Sequence, residues 1–391
     1  MKVANVILGG YVNGYSIIQE LYENNISDIY VIDIKKDISF YSNKINNYFI
    51  IKKDPNYILA IVNLLKKKYD LLIMYPNQDI YLEYLSILYN RINKFCFISF
   101  NPRNVVNYQD KMIQYKFCEK LGVPYPKTIH ITRSSDLRKI LYFLFPVLIK
   151  PTKRDNLKGD IFRSLKLDNR ADFQKKQKVL NNYISKGFNF IASEIIPGSG
   201  SNVYAYVGYR NSEGRILGEW TGKKLSQFPD DFGVFSSASN QAPQIILEQG
   251  RRLIHGMDLW GINEPEFKFD KRDDKYKLTE INLRPMMWHR VGALAGVPLN
   301  YVQYLDAIES KIPSFSDEKN SIFHYVYLAH EMINLFRRKS YFKTFYYNIF
   351  SENKNYFAAL EMRDLKPFLF CFLGILHRYK RYLKRNKNAF S

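Results

Sequence analysis

The chain has 391 residues, 46% hydrophobic and 24% charged, an ordinary composition for a globular protein with room for two or three domains. Its 58 Lys and Arg against 37 Asp and Glu give a net charge of +21. That field favours polyanionic partners such as nucleotide phosphates, an anionic membrane surface or nucleic acid, although a Lys-rich background composition accounts for the same excess. Three cysteines (Cys96, Cys118 and Cys371) lie too far apart for a metal-ligand spacing, argue against a disulfide framework and fit a reducing compartment.

The first residues, MKVANVILGG, run straight into a strand without the charged start, long apolar centre and cleavage site of a signal peptide. No apolar run reaches the ~18–20 residues that span a bilayer. The expected location is cytoplasmic. After the apolar run at residues 3–8 comes GGYVNG and a helical pattern over residues 16–22. Further strands are expected at residues 29–34, 71–75 and 95–100, the third running into PNQD and the last into NPR. Strands alternating with helices predict a doubly wound parallel sheet, a Rossmann-like domain over residues 1–105. Gly9, Gly10 and Gly14 do not match GxGxxG, although Asp33 stands about where a ribose-binding acid would be; a plain strand-to-helix turn explains the loop equally.

The texture changes at YQDKMIQYKFCEKLGVPYPKT. Asp110 is placed to cap a helix that runs to Leu121, Gly122 to stop it, and VPYP to force an extended exit. FPVLIKP reads as a buried strand carrying Lys150, a charge that is costly to bury unless it meets an anion. The basic segment behind it is expected to be a loop able to fold over phosphates through Lys153, Arg154 and Lys158. NFIASEII is a strand that ends at PGSGSN, where Glu194 precedes a turn suited to a hinge. Residues 203–209 and 215–221 form a hairpin about NSEG, and GKKLSQFPDDFG then presents Lys223 and Lys224. An amphipathic helix over residues 245–259 leads into PEFKFDKRDDKYKLTEINLR. Here two alternating segments flank a charged turn, the pattern of a β-hairpin. Centred near Asp273, it sets Glu266 directly across from Glu280, with Asn282 on the same face. Opposed like charges destabilise an antiparallel pair by roughly 0.2–1 kcal/mol. A cation reverses that sign, and two carboxylates with an amide oxygen are hard ligands suited to Mg²⁺.

In order and spacing, these segments resemble the ATP-grasp superfamily of carboxylate–amine (or carboxylate–thiol) ligases over roughly residues 108–306, E-x-N-x-R being the most specific pattern. The texture is similar to D-aspartate-ligase-like members and to those of cell-surface polysaccharide gene sets. The resemblance implies an α/β fold with a two-lobed α+β ATP-grasp domain at residues 106–312 (lobes 106–190 and 191–312), followed by a C-terminal helical, basic extension at 313–391. It implies Glu266, Glu280 and Asn282 as ligands of Mg²⁺ (or Mn²⁺), and Arg284 as the group that stabilises the transferring phosphoryl or acyl phosphate. Lys150 would bind ATP at phosphate, Glu194 and the backbone up to Ile196 at adenine, with Lys111 reaching the nucleotide. Lys223 or Lys224 would neutralise phosphate or a substrate carboxylate, and Asn202 stands where members place an acidic ribose contact. One departure stands out. The loop after Lys150 is basic and nearly glycine-free, so side-chain cations, Lys158 among them, would replace backbone N–H groups around phosphate.

The expected partners are ATP, a carboxylate and an amine, the product being a glycan or peptidoglycan precursor modified with an amino acid. A ligase for small soluble amino acids or peptides is the alternative. No Ser/His/Asp nucleophile is needed, and a lone His289 reads as structural. PFLFCFLGIL beside HRYKRYLKR suggests docking at the inner face of an anionic membrane, against a buried helix with a solvated basic end. A basic nucleic-acid- or nucleotide-binding regulator without catalysis is the rival of another class, and it lacks a nucleic-acid-binding motif. The sequence sets no oligomeric state.

Overall fold

The computed structural model describes residues 1–152, 161–162, 164–230, 233–315, 321–351 and 354–374. The N-terminal part alternates strands β1 (Val3–Leu8), β2 (Ile29–Asp33), β3 (Asn47–Ile50), β4 (Leu71–Pro76) and β5 (Cys96–Ile98) with helices α1 (Val12–Glu23), α2 (Asn56–Leu65) and α3 (Asp79–Ile92). The strands form a parallel sheet in the order β3-β2-β1-β4-β5, as the alternation predicts. β1, β2 and β4 are apolar runs buried along nearly their whole length because helices cover both faces. Strand β3 escapes sequence reading: NYFI lies at the sheet edge with both ends exposed, and lacks a clean apolar period.

After a single turn, α4 (Val105–Tyr108), comes α5 (Lys111–Leu121). Asp110 caps it by accepting from Met112 and Ile113 N–H, and Gly122 ends it in the left-handed region at φ 65°. Strands β6 (Thr128–Ile131), β7 (Val147–Pro151), β8 (Leu165–Leu167) and β9 (Phe190–Glu194), with helix α6 (Arg170–Ser185), build a small lobe. Its antiparallel sheet runs β6-β9-β7-β8 over a separate core that includes Ile131, Val147, Ile149, Phe173, Leu180 and Phe190.

The large lobe begins with β10 (Val203–Arg210), β11 (Ile216–Phe228), β12 (Val234–Ser239), α7 (Gln244–Gly256), β13 (Gly261–Asp270) and β14 (Lys275–Asn282). Short helices α8 (Arg290–Leu294) and α9 (Leu299–Ala307) follow. Past residue 313 the chain is helical, as expected, in α10 (Leu328–Arg337), α11 (Phe342–Phe350) and residues 365–374. It also supplies β15 (Phe323–Val326) and β16 (Lys354–Phe357), so the large sheet reads β14-β13-β10-β11-β12-β15-β16. These two four-residue strands sit within an aromatic, helix-like run, and no local period marks them. Among the described residues no helix is long and apolar enough to cross a membrane.

Both faces of the large sheet share cores with the N-terminal domain: Tyr206, Phe267 and Leu278 on one side, Ala205, Val207 and Trp220 on the other. On the second side α8 is pressed against β11. A Cβ on Gly292 would lie 2.1 Å from Trp220 Nε1. Gly292→Ala is therefore expected to overpack this junction and lower stability by about 1–3 kcal/mol in urea unfolding, whereas the exposed Ala171→Ser should change it little.

Candidate active site

The hairpin forms in the expected register. Glu266 on β13 pairs with Glu280 on β14, and Glu264 with Asn282. Going inward across the sheet, Glu266 is followed by Ala205 and Gly222, small residues that leave the carboxylate face uncrowded by β10 and β11. Lys224, one pair further along β11, reaches across to Glu266 in a direct ion pair, both side chains about nine-tenths buried. Lys111, at the first turn of α5, stands 3.7 Å from Glu280 Oε2. Each of the opposed carboxylates thus meets one ammonium. Burial pushes Glu266 above the ordinary carboxylate range, Lys224 opposes this, and Glu280 and Glu264 add to it.

Glu264 escapes sequence reading, and it is fully buried. It accepts from His289 Nε2 and, at 3.3 Å, from the Asn282 amide. His289 Nδ1 accepts from the Met286 N–H at 3.2 Å, which leaves Nε2 to carry the hydrogen donated to Glu264. His289 is therefore a structural partner that orients Asn282 through Glu264, in keeping with its reading as structural. The only signal in the sequence was a second glutamate two positions before Glu266, on the same strand face.

Arg284 lies just beyond β14, where it grips Asp79 at the start of α3: Nε to Oδ1 at 2.6 Å and Nη2 to Oδ2 at 3.0 Å. Burial works against its charge, yet Asp79, Glu264 and Glu280 hold its pKa above the ordinary value. This fork ties the end of β14 to the start of α3, just beyond β4 of the N-terminal sheet. Asp79 was legible only as the last letter of PNQD.

The two adjacent lysines part company. Lys224 faces Glu266, while Lys223 pairs with Tyr204 and Ser239 on the alternate face, where it lies near His324. Burial first, with Lys223 beside it, lowers the His324 imidazole to about 4. Lys150 is half-buried near the end of β7, opposite Ile191. A bond from Lys111 N–H to Thr152 O (2.9 Å) ties the start of α5 to the end of that strand. Glu194 closes β9 next to the hairpin tip: it accepts from Lys127 N–H (2.9 Å), meets Arg272 at 2.9 Å and stands 3.6 Å from Lys277. Ile196 is buried just after it, and Asn202 is half-buried in the turn before β10. Lys158, with Lys153, Arg154 and Gly159, lies outside the described residues.

Among the described residues no group of three or more His, Cys, Asp and Glu is arranged as a metal cage. The set is instead two opposed carboxylates and an amide. Such a partial shell of hard oxygens suits Mg²⁺, which dehydrates reluctantly and is held jointly with nucleotide phosphates.

No family model matches the chain. A D-aspartate ligase of Enterococcus faecium is 24% identical over 301 residues, covering 71% of this chain and 70% of the relative. Of solved structures, the N5-carboxyaminoimidazole synthetase of Staphylococcus aureus complexed with ADP matches with a TM-score of 0.62 at 16% identity, over 81% of this chain and 80% of that one. The biotin carboxylase domain of Hydrogenobacter thermophilus 2-oxoglutarate carboxylase, in complex with MgADP and bicarbonate, gives 0.62 at 15% identity, over 81% and 72%. The fold is thus that of ATP-grasp proteins, in agreement with the sequence resemblance. The likenesses are to an ATP-dependent type of ligase and to structures that hold ADP or MgADP, as the sequence resemblance leads one to expect.

A pH dependence follows from the hairpin tip. Hydrogen bonds from Arg272, then those from Lys277, hold the buried Asp270 well below the ordinary carboxylate range, against the cost of burial. A carboxylate depressed in the folded state adds stability that is present above its unfolded pKa, ~3.9, and lost as pH falls below it. Asp270→Asn is accordingly expected to be less stable than the parent at neutral pH, with a gap in urea midpoint that holds down to pH ~4, begins to narrow below it and is still present at pH 3.

Proposed function

We propose that this protein couples ATP cleavage to an amide bond between a carboxylate and an amine, adding an amino acid to a cell-surface glycan or peptidoglycan precursor in the cytoplasm. The observation that carries the reading is the Glu266–Glu280 pair, met by Lys224 on one side and Lys111 on the other. A carboxylate is a poor electrophile in water. Attack of its oxygen on the γ-phosphorus of ATP breaks the bond to the bridging oxygen, releases ADP and leaves an acyl phosphate. An amine then attacks the carbonyl carbon, phosphate departs with the bonding electrons, and the amine gives up a proton to form the amide.

The protein contributes chiefly position and charge to the first step. Glu266, Glu280 and Asn282 would hold Mg²⁺, which when bound neutralises phosphate charge. Glu264, itself held by His289, keeps the Asn282 amide turned so that its N–H₂ is engaged and its carbonyl oxygen is left for the cation. Lys224 and Lys111 are ammonium groups already beside that face, and Lys150 would approach phosphate from β7 of the small lobe, whose end is tied to α5 through Thr152 O and Lys111 N–H. Arg284 is a planar fork that matches a carboxylate or acyl phosphate; it now spends both bonds on Asp79. Lys223 is left out of this assignment because it faces the other way. Glu194, Ile196 and Asn202 lie along the hinge, where the adenosine end would rest.

The likeness to D-aspartate ligase supports an amino acid as the carboxylate partner. It equally favours the second reading, a ligase for small amino acids or peptides. Phosphate release from ATP, screened over D- and L-amino acids with uronic-acid and peptidyl acceptors, separates the two. Within that assay Glu280→Gln should lower turnover by roughly 10²–10³-fold with an unchanged thermal midpoint. Parental turnover in that variant would show the metal assignment to be wrong.

A further inference from the structure

The GGYVNG turn after β1 and the PNQD turn after β4 are fastened to each other and to the end of β2. Asp33, the residue at the place of a ribose-binding acid, is buried and spends its oxygens inside the domain. It accepts from Gly10 N–H at 2.7 Å, from Tyr81 OH at 2.8 Å and from Gln78 Nε2 at 3.2 Å. Asn77 donates to Gly9 O at 2.8 Å, and Asn13 donates to Asn77 O at 2.7 Å. Gly9 is left-handed at φ 114°, and a Cβ there would lie 2.1 Å from Asn77 Oδ1. These bonds fix the first turn of α3 on the sheet end. The residue that turn carries forward is Asp79.

Asp79 takes Arg284 by one particular edge. Nε and Nη2 are the side-on pair of a guanidinium, and both go to this carboxylate. The end-on pair, Nη1 with the second hydrogen of Nη2, is a fork of the same geometry. Among the described residues its partner is Met286 Sδ on Nη1, a weak acceptor that a charged oxygen readily replaces. Glu264 and Glu280 both act on the Arg284 charge, which places the guanidinium close to the carboxylate face of the hairpin. An arginine that is to meet a developing anion loses less on meeting it when its plane is set beforehand. Asp79 sets that plane from a mount that belongs to another domain.

We propose that Asp79 is a positioning residue for Arg284, holding the guanidinium by its side-on edge so that the end-on edge meets the anion of the reaction, a carboxylate or the acyl phosphate made from it. The inference rests on the ligase reading for the nature of that anion. It gives the end of the N-terminal sheet a task in the chemistry, as the mount of an arginine rather than as a nucleotide site. Charge and position oppose each other here, which makes the idea testable. By charge alone, losing the Asp79 carboxylate strengthens the pull of Arg284 on an anion. By position, the same loss lets the fork swing and weakens binding.

The test is calorimetric titration of the full chain, saturated with MgADP, with acetyl phosphate as the acyl phosphate probe. The parent is expected to bind it. Asp79→Asn should weaken that binding by roughly tenfold or more while leaving MgADP affinity unchanged. Asp79→Glu keeps the charge, shifts it by one methylene and should fall between the two; it carries the comparison where Asp79→Asn is unfolded. Arg284→Gln should weaken binding as well, and adding Asp79→Asn to it should cause no further loss. All are compared at a temperature where circular dichroism shows them folded, since Asp79→Asn leaves a guanidinium without its partner. Three results would overturn the inference: no binding by the parent, parental or tighter binding in either Asp79 variant, or a further loss on adding Asp79→Asn to Arg284→Gln. Tighter binding would make Asp79 a competitor for the fork. The titration needs no turnover, so an absence of phosphate release with every amino acid counts against the ligase reading and not against the role of Asp79.

Discussion

Much of this structure rests on one unfavourable contact, two glutamates placed opposite each other on adjacent strands. Glu266 and Glu280 cannot both remain ionised in a buried setting without positive charge close by. The fold answers from two directions, with Lys224 brought over β11 and Lys111 carried in on the first turn of α5. Glu264 adds a third carboxylate to the same face, held by a histidine. The arrangement is poor as a stability device, and the proposed function gives it a use as a receptacle for a cation that arrives with a nucleotide. That asymmetry is the physical reason to read the hairpin as the floor of a reaction site.

The hairpin is also a junction. At its tip Asp270, Arg272 and Lys277 form an ion cluster that reaches Glu194 at the end of the small lobe's central strand. At its other end Arg284 reaches Asp79 on the N-terminal domain. The small lobe keeps its own apolar core, whereas the large sheet shares cores with the N-terminal domain on both faces. The small lobe therefore meets the hairpin through the ion cluster at its tip and through Ile191 of β9, which joins the core of Phe267 and Leu278.

The C-terminal stretch joins the large sheet through β15 and β16 and leaves an aromatic, basic surface outward. A buried carboxylate, Glu331, fastens α10 to that sheet by accepting from Ser226 of β11, from Tyr341 and from Asn348. The same segment thus completes the sheet that carries Lys224 and presents a face of its own to the outside.

The parallel sheet, the capped helix from Lys111 to Leu121 and the register of the hairpin were all readable in the amino-acid sequence. Each depends on local physics: apolar runs bounded by turns, an Asp before and a Gly after a periodic segment, and a side-chain period of two about a charged turn. The edge strand β3 and the late strands β15 and β16 were not readable, because their four-residue stretches become strands only where a sheet edge accepts them. The sequence could not say which of Lys223 and Lys224 meets Glu266, since that depends on how β11 pairs with both neighbours. Nor could it supply Asp79 for Arg284 or His289 for Glu264, partners separated by 205 and 25 residues. Ligand types in a strand are a matter of local period. The charges that surround them come from distant segments, and only the packed structure brings those together.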